Sequence, residues 1–220
     1  MNNKKICFIM CVNNKQYLSE CKYYINNLIV PQGYEIDCIT VWDAPSMASG
    51  YNAAMKASDA KYKIYIHQDV FLVKKDFLFE LLELFENDEI GMVGMIGSEK
   101  LPSDGCMWNG IRVGTIYSSN VYKAQQLKFL FEDGCQYKEV EAIDGLLMAT
   151  QYDLDWREDL FKGWDFYDVS QSAEFIKNGY QVVVPNLKDP WCLHDDGFLD
   201  LDNYDESRKI YLSEYKGIKE

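Results

Sequence analysis

Asn13-Asn14, Asp43 and His67-Gln68-Asp69 are the groups in the first half of the chain best suited to hold a charged ligand. Each follows a strand-like run, at 6–12, 35–42 and 62–66. Carboxamides donate and accept hydrogen bonds, a neutral imidazole does one at each nitrogen, and a carboxylate offers hard oxygen to a divalent cation. A cation held that way neutralises a phosphate ligand. Open α/β sheets bind ligands outside the carboxyl ends of their strands, which is where these groups fall. Asn52, on the segment between the second and third runs, adds another polar side chain. One polar strand end alone is ordinary turn chemistry; three in succession point to a binding site.

The elements that must position them follow from periodicity. Residues 6–12 form a continuous apolar run, as in a strand buried on both faces of a parallel sheet. Residues 15–29 read as a helix, with Tyr17, Leu18, Cys21, Tyr24, Ile25 and Leu28 at helical spacing, stopped by Pro31 and Gly33. Residues 35–42 are a second strand, and 47–58 a small-residue helix capped by Ser46. After a third strand at 62–66, Asp76 is placed to cap an amphipathic helix whose face is Phe77, Leu78, Leu81, Leu82 and Phe85. A fourth strand runs over 90–96. This alternation predicts a three-layer α/β fold. Beyond residue 100 the rhythm changes: 100–114 reads as a loop or short hairpin, 143–150 as a strand, and 153–168 as an acidic, aromatic segment. Residues 170–178 are a helix stopped by Gly179, and 181–184 a strand stopped by Pro185. The remainder, to residue 220, is acidic and Tyr-rich with no clear period.

A chain of 220 residues suits one domain whose core buries roughly 70% of the unfolded surface. Hydrophobic residues at 48% and charged residues at 26% exclude disorder, collagen and a disulfide miniprotein. Lys+Arg 22 against Asp+Glu 35 leaves a net charge of −13, without the basic footprint that nucleic acid or anionic lipid requires. The seven cysteines are scattered, with no CxxC pair, so a zinc or thioredoxin-type motif has no support. Reduced thiols fit a cytoplasmic protein, with peripheral association at the inner face of the membrane as a variant. No uncharged stretch approaches the ~18 apolar residues of a membrane span, and residues 1–5 lead into a strand rather than a signal peptide. Aromatic residues at 15% serve either as stacking platforms for flat ligands or as core filling.

Taken in order over residues 5–197, these features resemble the glycosyltransferase family 2-like enzymes of the GT-A fold. The apolar strand with its polar turn is Ile6-Cys7-Phe8-Ile9-Met10-Cys11-Val12-Asn13-Asn14. The helix pattern S-x-x-x-G-x-N-x-A is matched by Ser46-Met47-Ala48-Ser49-Gly50-Tyr51-Asn52-Ala53-Ala54. The DxD position is His67-Gln68-Asp69, and the later Glu-Asp-x-Asp position is Tyr167-Asp168-Val169-Ser170, before a helix ending at Gly179-Tyr180.

The resemblance implies a three-layer α/β/α GT-A domain over 1–220 with a mixed, mostly parallel central sheet. It divides into a nucleotide-binding half (1–98), an acceptor and catalytic half (99–197) and an acidic C-terminal tail (198–220). It implies that Asn13 and Asp43 read the base, and that Asn52, His67, Gln68 and Asp69 line the donor site. Asp69 and His194 would hold Mn²⁺ or Mg²⁺ on the diphosphate. Asp168 would be the catalytic base, with Asp165 as fallback, while Asp144, Gly145 and Trp164 fall on the acceptor side. His67 in place of the first Asp, and Tyr167 and Ser170 in place of two acids, depart from the pattern.

The activity implied is inverting, metal-dependent transfer of a sugar from a nucleoside-diphosphate sugar to a hydroxyl of a glycan, lipid-linked or protein acceptor. A homo-oligomer is compatible with it. The alternative is a GT-A domain without turnover that binds a nucleotide sugar or a protein partner. A sugar-phosphate nucleotidyltransferase ranks below both, because Cys11-Val12-Asn13-Asn14-Lys15 lacks the glycines of a triphosphate loop. Residue by residue, competing readings stay open: Asp168 as a helix N-cap, His194 as a surface loop residue, Asp69 as turn chemistry, and Trp156, Trp164 and Trp191 as core or rim.

Overall fold

The first apolar run becomes the hub of the sheet because both of its faces can be covered. In the computed structural model, which describes residues 1–129, 131, 134–197 and 201–215, β1 (Asn2–Val12) is buried from Ile6 onward. Its side chains alternate between two cores, as the strand period of two requires. Ile6, Phe8, Met10 and Val12 pack with Cys21 and Ile25 of α1 (Lys15–Asn26) and with Phe77, Leu78 and Leu81 of α3 (Phe77–Leu84). Cys7, Ile9 and Cys11 pack with Met47, Ala48 and Tyr51 of α2 (Met47–Ala57) and with Tyr167 and Phe175 of α4 (Tyr167–Lys177). Helices therefore cover both faces, and the three layers are those of the GT-A fold.

Among the described residues the main sheet has seven strands in the order β2-β1-β3-β11-β5-β12-β9. These are β2 (Glu35–Trp42), β3 (Ala60–Ile66), β5 (Ile90–Gly94), β9 (Tyr137–Glu139), β11 (Leu147–Thr150) and β12 (Gln181–Pro185) beside β1. β2, β1, β3, β5 and β12 run one way, and β11 and β9 run against them. A second sheet joins β10 (Ala142–Ile143), β6 (Ile96–Ser98), β7 (Arg112–Asn120), β13 (Cys192–Gly197) and β4 (Val70–Leu72), with β8 (Ala124–Phe129) on β7.

Several elements differ from expectation. The strand expected over 90–96 breaks at Met95, its second half joining the other sheet as β6. The strand expected over 143–150 divides in the same way, into β10 and β11, around Asp144-Gly145-Leu146. An apolar run records burial but not the change of sheet, so neither break shows in the pattern. The expected loop over 100–114 is the connection between the antiparallel strands β6 and β7, with a 3₁₀ turn at Met107–Asn109. The C-terminal region, expected without period, forms β13 and α5 (Tyr204–Glu214). Tyr211, on α5, and Tyr215, just beyond it, enter the first core, a burial the acidic composition hid. Of the tail 198–220, residues 198–200 and 216–220 lie outside the described residues. Among those described, no helix is long and apolar enough to cross a membrane.

Caps explain the helix starts. The Asn14 side chain accepts from the N–H groups of Gln16 and Tyr17, and Ser46 forms a reciprocal capping box with Ser49. Asp76 stands at the start of α3 without a side-chain capping bond. α4 begins at Tyr167, earlier than expected, behind Phe166 in the left-handed region (φ 61°). Asp168 is thus inside the first turn, not at the N-cap.

Asn52, implied as a donor contact, is 3% exposed and clamps a distant backbone instead. Its Nδ2 donates to the Trp156 carbonyl (2.9 Å), and its Oδ1 accepts from the Trp156 N–H (2.8 Å). Asn52→Ala leaves the Trp156 N–H buried and unpaired, while the carbonyl keeps the Glu158 N–H (2.7 Å), a loss of about 2 kcal/mol. Urea unfolding of the variant should show that loss; an unchanged midpoint would disprove the role.

Candidate active site

The loop after β3 is pinned before it can hold anything. His67 N–H donates to the Leu146 carbonyl (3.0 Å), and the Asp69 carbonyl accepts from Asp195 N–H (3.0 Å). Antiparallel pairing of β13 with β4 sets His194 opposite Val70, next to Asp69. Nε2 of His194 lies 3.6 Å and Nδ1 of His67 4.0 Å from Oδ1 of Asp69. One ligand atom from each of the three lies within 4.8 Å of the others.

Asp69 Oδ1 is buried and has no hydrogen-bond partner among the described residues. Such an oxygen is costly unless a cation or a hydrogen-bond donor such as water satisfies it. Two imidazole nitrogens and a carboxylate oxygen are a donor set for a divalent transition ion, so of the Mn²⁺ or Mg²⁺ that the resemblance implies the residues fit Mn²⁺. Burial, then the neighbouring His194, pushes His67 below the usual histidine range, against the pull of Asp69 and Asp144. It is therefore neutral at pH 7, the state that ligates.

Gln68 acts as a staple. Its Oε1 accepts from the N–H groups of Asn13 (3.1 Å) and Asn14 (2.9 Å), and its Nε2 donates to Asn13 Oδ1 (2.5 Å). Asn13, His67, Gln68 and Asp69 line one open cleft of about 140 Å³ together with Cys11, Val12, Met47 and Trp164. Trp164 is 52% exposed at this cleft, and its segment is tied to α2 by Met47 N–H on the Gly163 carbonyl. Asp43 does not line the cleft; it follows β2, exposed, with φ 54°.

Asp168 comes to the same region from α4. Its Oδ2 accepts from Gly145 N–H (3.0 Å) and its Oδ1 from Val169 N–H (2.8 Å). Burial, then the charge of Asp144, pushes its carboxyl up to about 7 despite these two donors. Asp144 Oδ1 accepts from Leu146 N–H (2.9 Å), which holds it beside this pair. Asp165 is half-buried, one residue from Trp164. The link between the halves is Tyr167: its hydroxyl is 2.5 Å from His67 Nε2 and presses on Gly145, where an added Cβ would lie 2.0 Å from that oxygen. The buried hydroxyl of Tyr51 also feels the charges of both Asp168 and Asp69.

The fold thus gathers Asn13, His67, Gln68, Asp69, Trp164 and His194, joins Asp144, Gly145 and Asp168 to them through Tyr167, and leaves Asp43 and Asn52 aside. Sequence reasoning missed Tyr167, marked there only as a replaced acid. Its partner is one hundred residues away in the chain, a pairing no local spacing reveals.

Solved structures of similar fold include the mannosyltransferase PcManGT from Pyrobaculum calidifontis in complex with GDP-Man and Mn²⁺, at TM-score 0.56 and 11% identity, covering 88% of this chain and 57% of that one. TarS of S. aureus aligns at TM-score 0.61 and 10% identity over 95% of this chain and 39% of that one. A curated relative, the phenylalanine–tRNA ligase beta subunit of Legionella pneumophila (strain Lens), is 30% identical over 111 residues. That match covers 43% of this chain and 14% of the ligase subunit, and no function follows from it. The chain spans less than two thirds of each of these proteins. The model of a family described as "Glycosyltransferase like family" matches residues 7–215. With the fold and that match together, the chain belongs to this glycosyltransferase-like family.

Proposed function

We propose that the protein transfers a sugar from a nucleoside-diphosphate sugar to an acceptor hydroxyl, with inversion at the anomeric carbon. The observation that carries this reading is the convergence of His67, Asp69 and His194 beside Asp168, through the Tyr167–His67 contact. PcManGT, similar in fold, is solved with GDP-Man and Mn²⁺. Residues 1–98 supply the cleft wall with Asn13, Gln68 and Asp69, and residues 99–197 supply Asp144, Asp168 and His194.

Asp69 and His194 would hold Mn²⁺ or Mg²⁺, with His67 beside them. When bound, the cation offsets charge that gathers on the departing diphosphate. Asp168 takes the acceptor proton as the oxygen attacks. The alcohol becomes acidic only as the new bond forms, so the base must be aligned in advance. The two backbone N–H groups on Asp168 provide that alignment. A carboxyl titrating near 7 is also a stronger base than an ordinary aspartate. Trp164 gives the acceptor an exposed indole face, and Asp144 offers a hydrogen-bond acceptor. Gly145 contributes by leaving room for Tyr167 and by donating to Asp168, rather than by touching the acceptor. Asp43 is left as an outer contact for the base.

Asp168→Asn should lower kcat about 10²- to 10⁴-fold with little change in donor affinity; full activity would shift the role to Asp165. In wild type, kcat should rise with pH through about 7, not near 4. Stability follows the opposite sign. A carboxyl whose pKa is raised on folding holds more protons folded than unfolded between about 4 and 7, so its contribution is lost as pH rises through 7. Asp168→Asn should therefore melt higher than wild type at pH 8 and alike at pH 4. Calorimetry with GDP and UDP should show nucleotide binding that needs Mn²⁺ and disappears in Asp69→Asn. Transfer assays with GDP-mannose and UDP-N-acetylglucosamine separate turnover from binding alone.

A further inference from the structure

Resting on the reading that this cluster holds a divalent cation for a diphosphate, we propose that His67 is itself a ligand through Nδ1. We further propose that Tyr167 is the positioning residue that turns it there. The result is a site of two histidines and one carboxylate that selects Co²⁺ and Mn²⁺ over Mg²⁺.

The ring of His67 has one nitrogen on each partner. Nε2 meets the Tyr167 hydroxyl at 2.5 Å, and Nδ1 faces Asp69 Oδ1 at 4.0 Å. Tyr167 is 4% exposed, and its ring is boxed by Tyr51 and Trp156, with centroids at 5.9 and 6.1 Å. Its hydroxyl lies against Gly145 in space that any side chain there would fill. The oxygen therefore stays where it is, as the partner that takes the Nε2–H of His67 when Nδ1 is on a cation. That tautomer leaves the Nδ1 lone pair open toward Asp69. A ligating histidine has its second nitrogen fixed by such a partner, and removal of the partner costs about 10- to 100-fold in metal affinity. Imidazole nitrogen favours first-row transition ions, whereas Mg²⁺ keeps to oxygen and dehydrates reluctantly. The third donor, Nε2 of His194, lies 3.6 Å from Asp69 Oδ1.

The test measures cation binding on the full chain by calorimetry with Co²⁺, Mn²⁺ and Mg²⁺, each with and without GDP or UDP. Nitrogen hyperfine coupling on bound Mn²⁺ counts the imidazole ligands. Wild type should bind Co²⁺ and Mn²⁺ at least tenfold more tightly than Mg²⁺ and show two coupled nitrogens. His67→Asp should remove one coupling and shrink the Co²⁺ to Mg²⁺ ratio at least tenfold. Tyr167→Phe keeps the packed ring; it should weaken Co²⁺ roughly tenfold and leave Mg²⁺ unchanged, a split that general loosening of the fold would not produce. It carries the test alone if His67→Asp fails to fold. Unchanged ratios in the variants, or one coupled nitrogen in wild type, overturn the His67 assignment while Mn²⁺-dependent nucleotide binding keeps the underlying reading. Absence of nucleotide binding with every cation overturns both.

Discussion

Oδ1 of Asp69 is buried without a hydrogen-bond donor among the described residues, and the surrounding architecture keeps it so. Water would satisfy it if the loop relaxed outward. The loop does not relax because Leu146 holds one end through His67 N–H and β13 holds the other through Asp195 N–H. One imidazole, His67, belongs to the loop itself, and β13 brings the other, His194. A buried carboxylate oxygen without a donor is unfavourable by itself, and a cation is one group that would satisfy it. The polypeptide thus holds together three groups, His67, Asp69 and His194, of the kind that could take a metal ion.

The two sheets explain how that arrangement is reached. β5 continues into β6 and β10 into β11, and in each case the chain passes from one sheet to the other over one to three residues. The second crossing carries Asp144 and Gly145. An interrupted ladder frees the backbone there: Gly145 N–H is available to Asp168, and the Leu146 carbonyl to His67. Asp168 and His67 are therefore both anchored to one break in the sheet, and Tyr167 closes the distance between them. Asp168 is placed at the expense of stability, since a carboxyl beside Asp144 in a desolvated turn resists ionisation.

Much of the fold was legible in residues 1–98. The run at 35–42 coincides with β2, and the Ser46 cap and its helix stand where small residues and spacing put them. The polar groups at the ends of β1 and β3 do line one cleft. The pattern failed where context outweighs composition. Asn52 carries a side chain suited to a ligand, but a buried amide pairs with whatever backbone is unsatisfied nearby, here that of Trp156. β13, Cys-Leu-His-Asp-Asp-Gly, has little apolar character and is a strand because β7 and β4 flank it.

By itself the sequence determined the alternation of strands and helices, the two-sided burial of β1 and the polar chemistry at the strand ends, because each depends on neighbours within a few residues. Tertiary structure alone decided which of those polar groups meet. His67, Asp69 and His194 converge, and Tyr167 joins them to Asp168, because strand pairing across more than one hundred residues brings β13 against β4 and sets the start of α4 against the β3 loop. Contacts at that separation are specified by the packing of the whole core, and no local period encodes them.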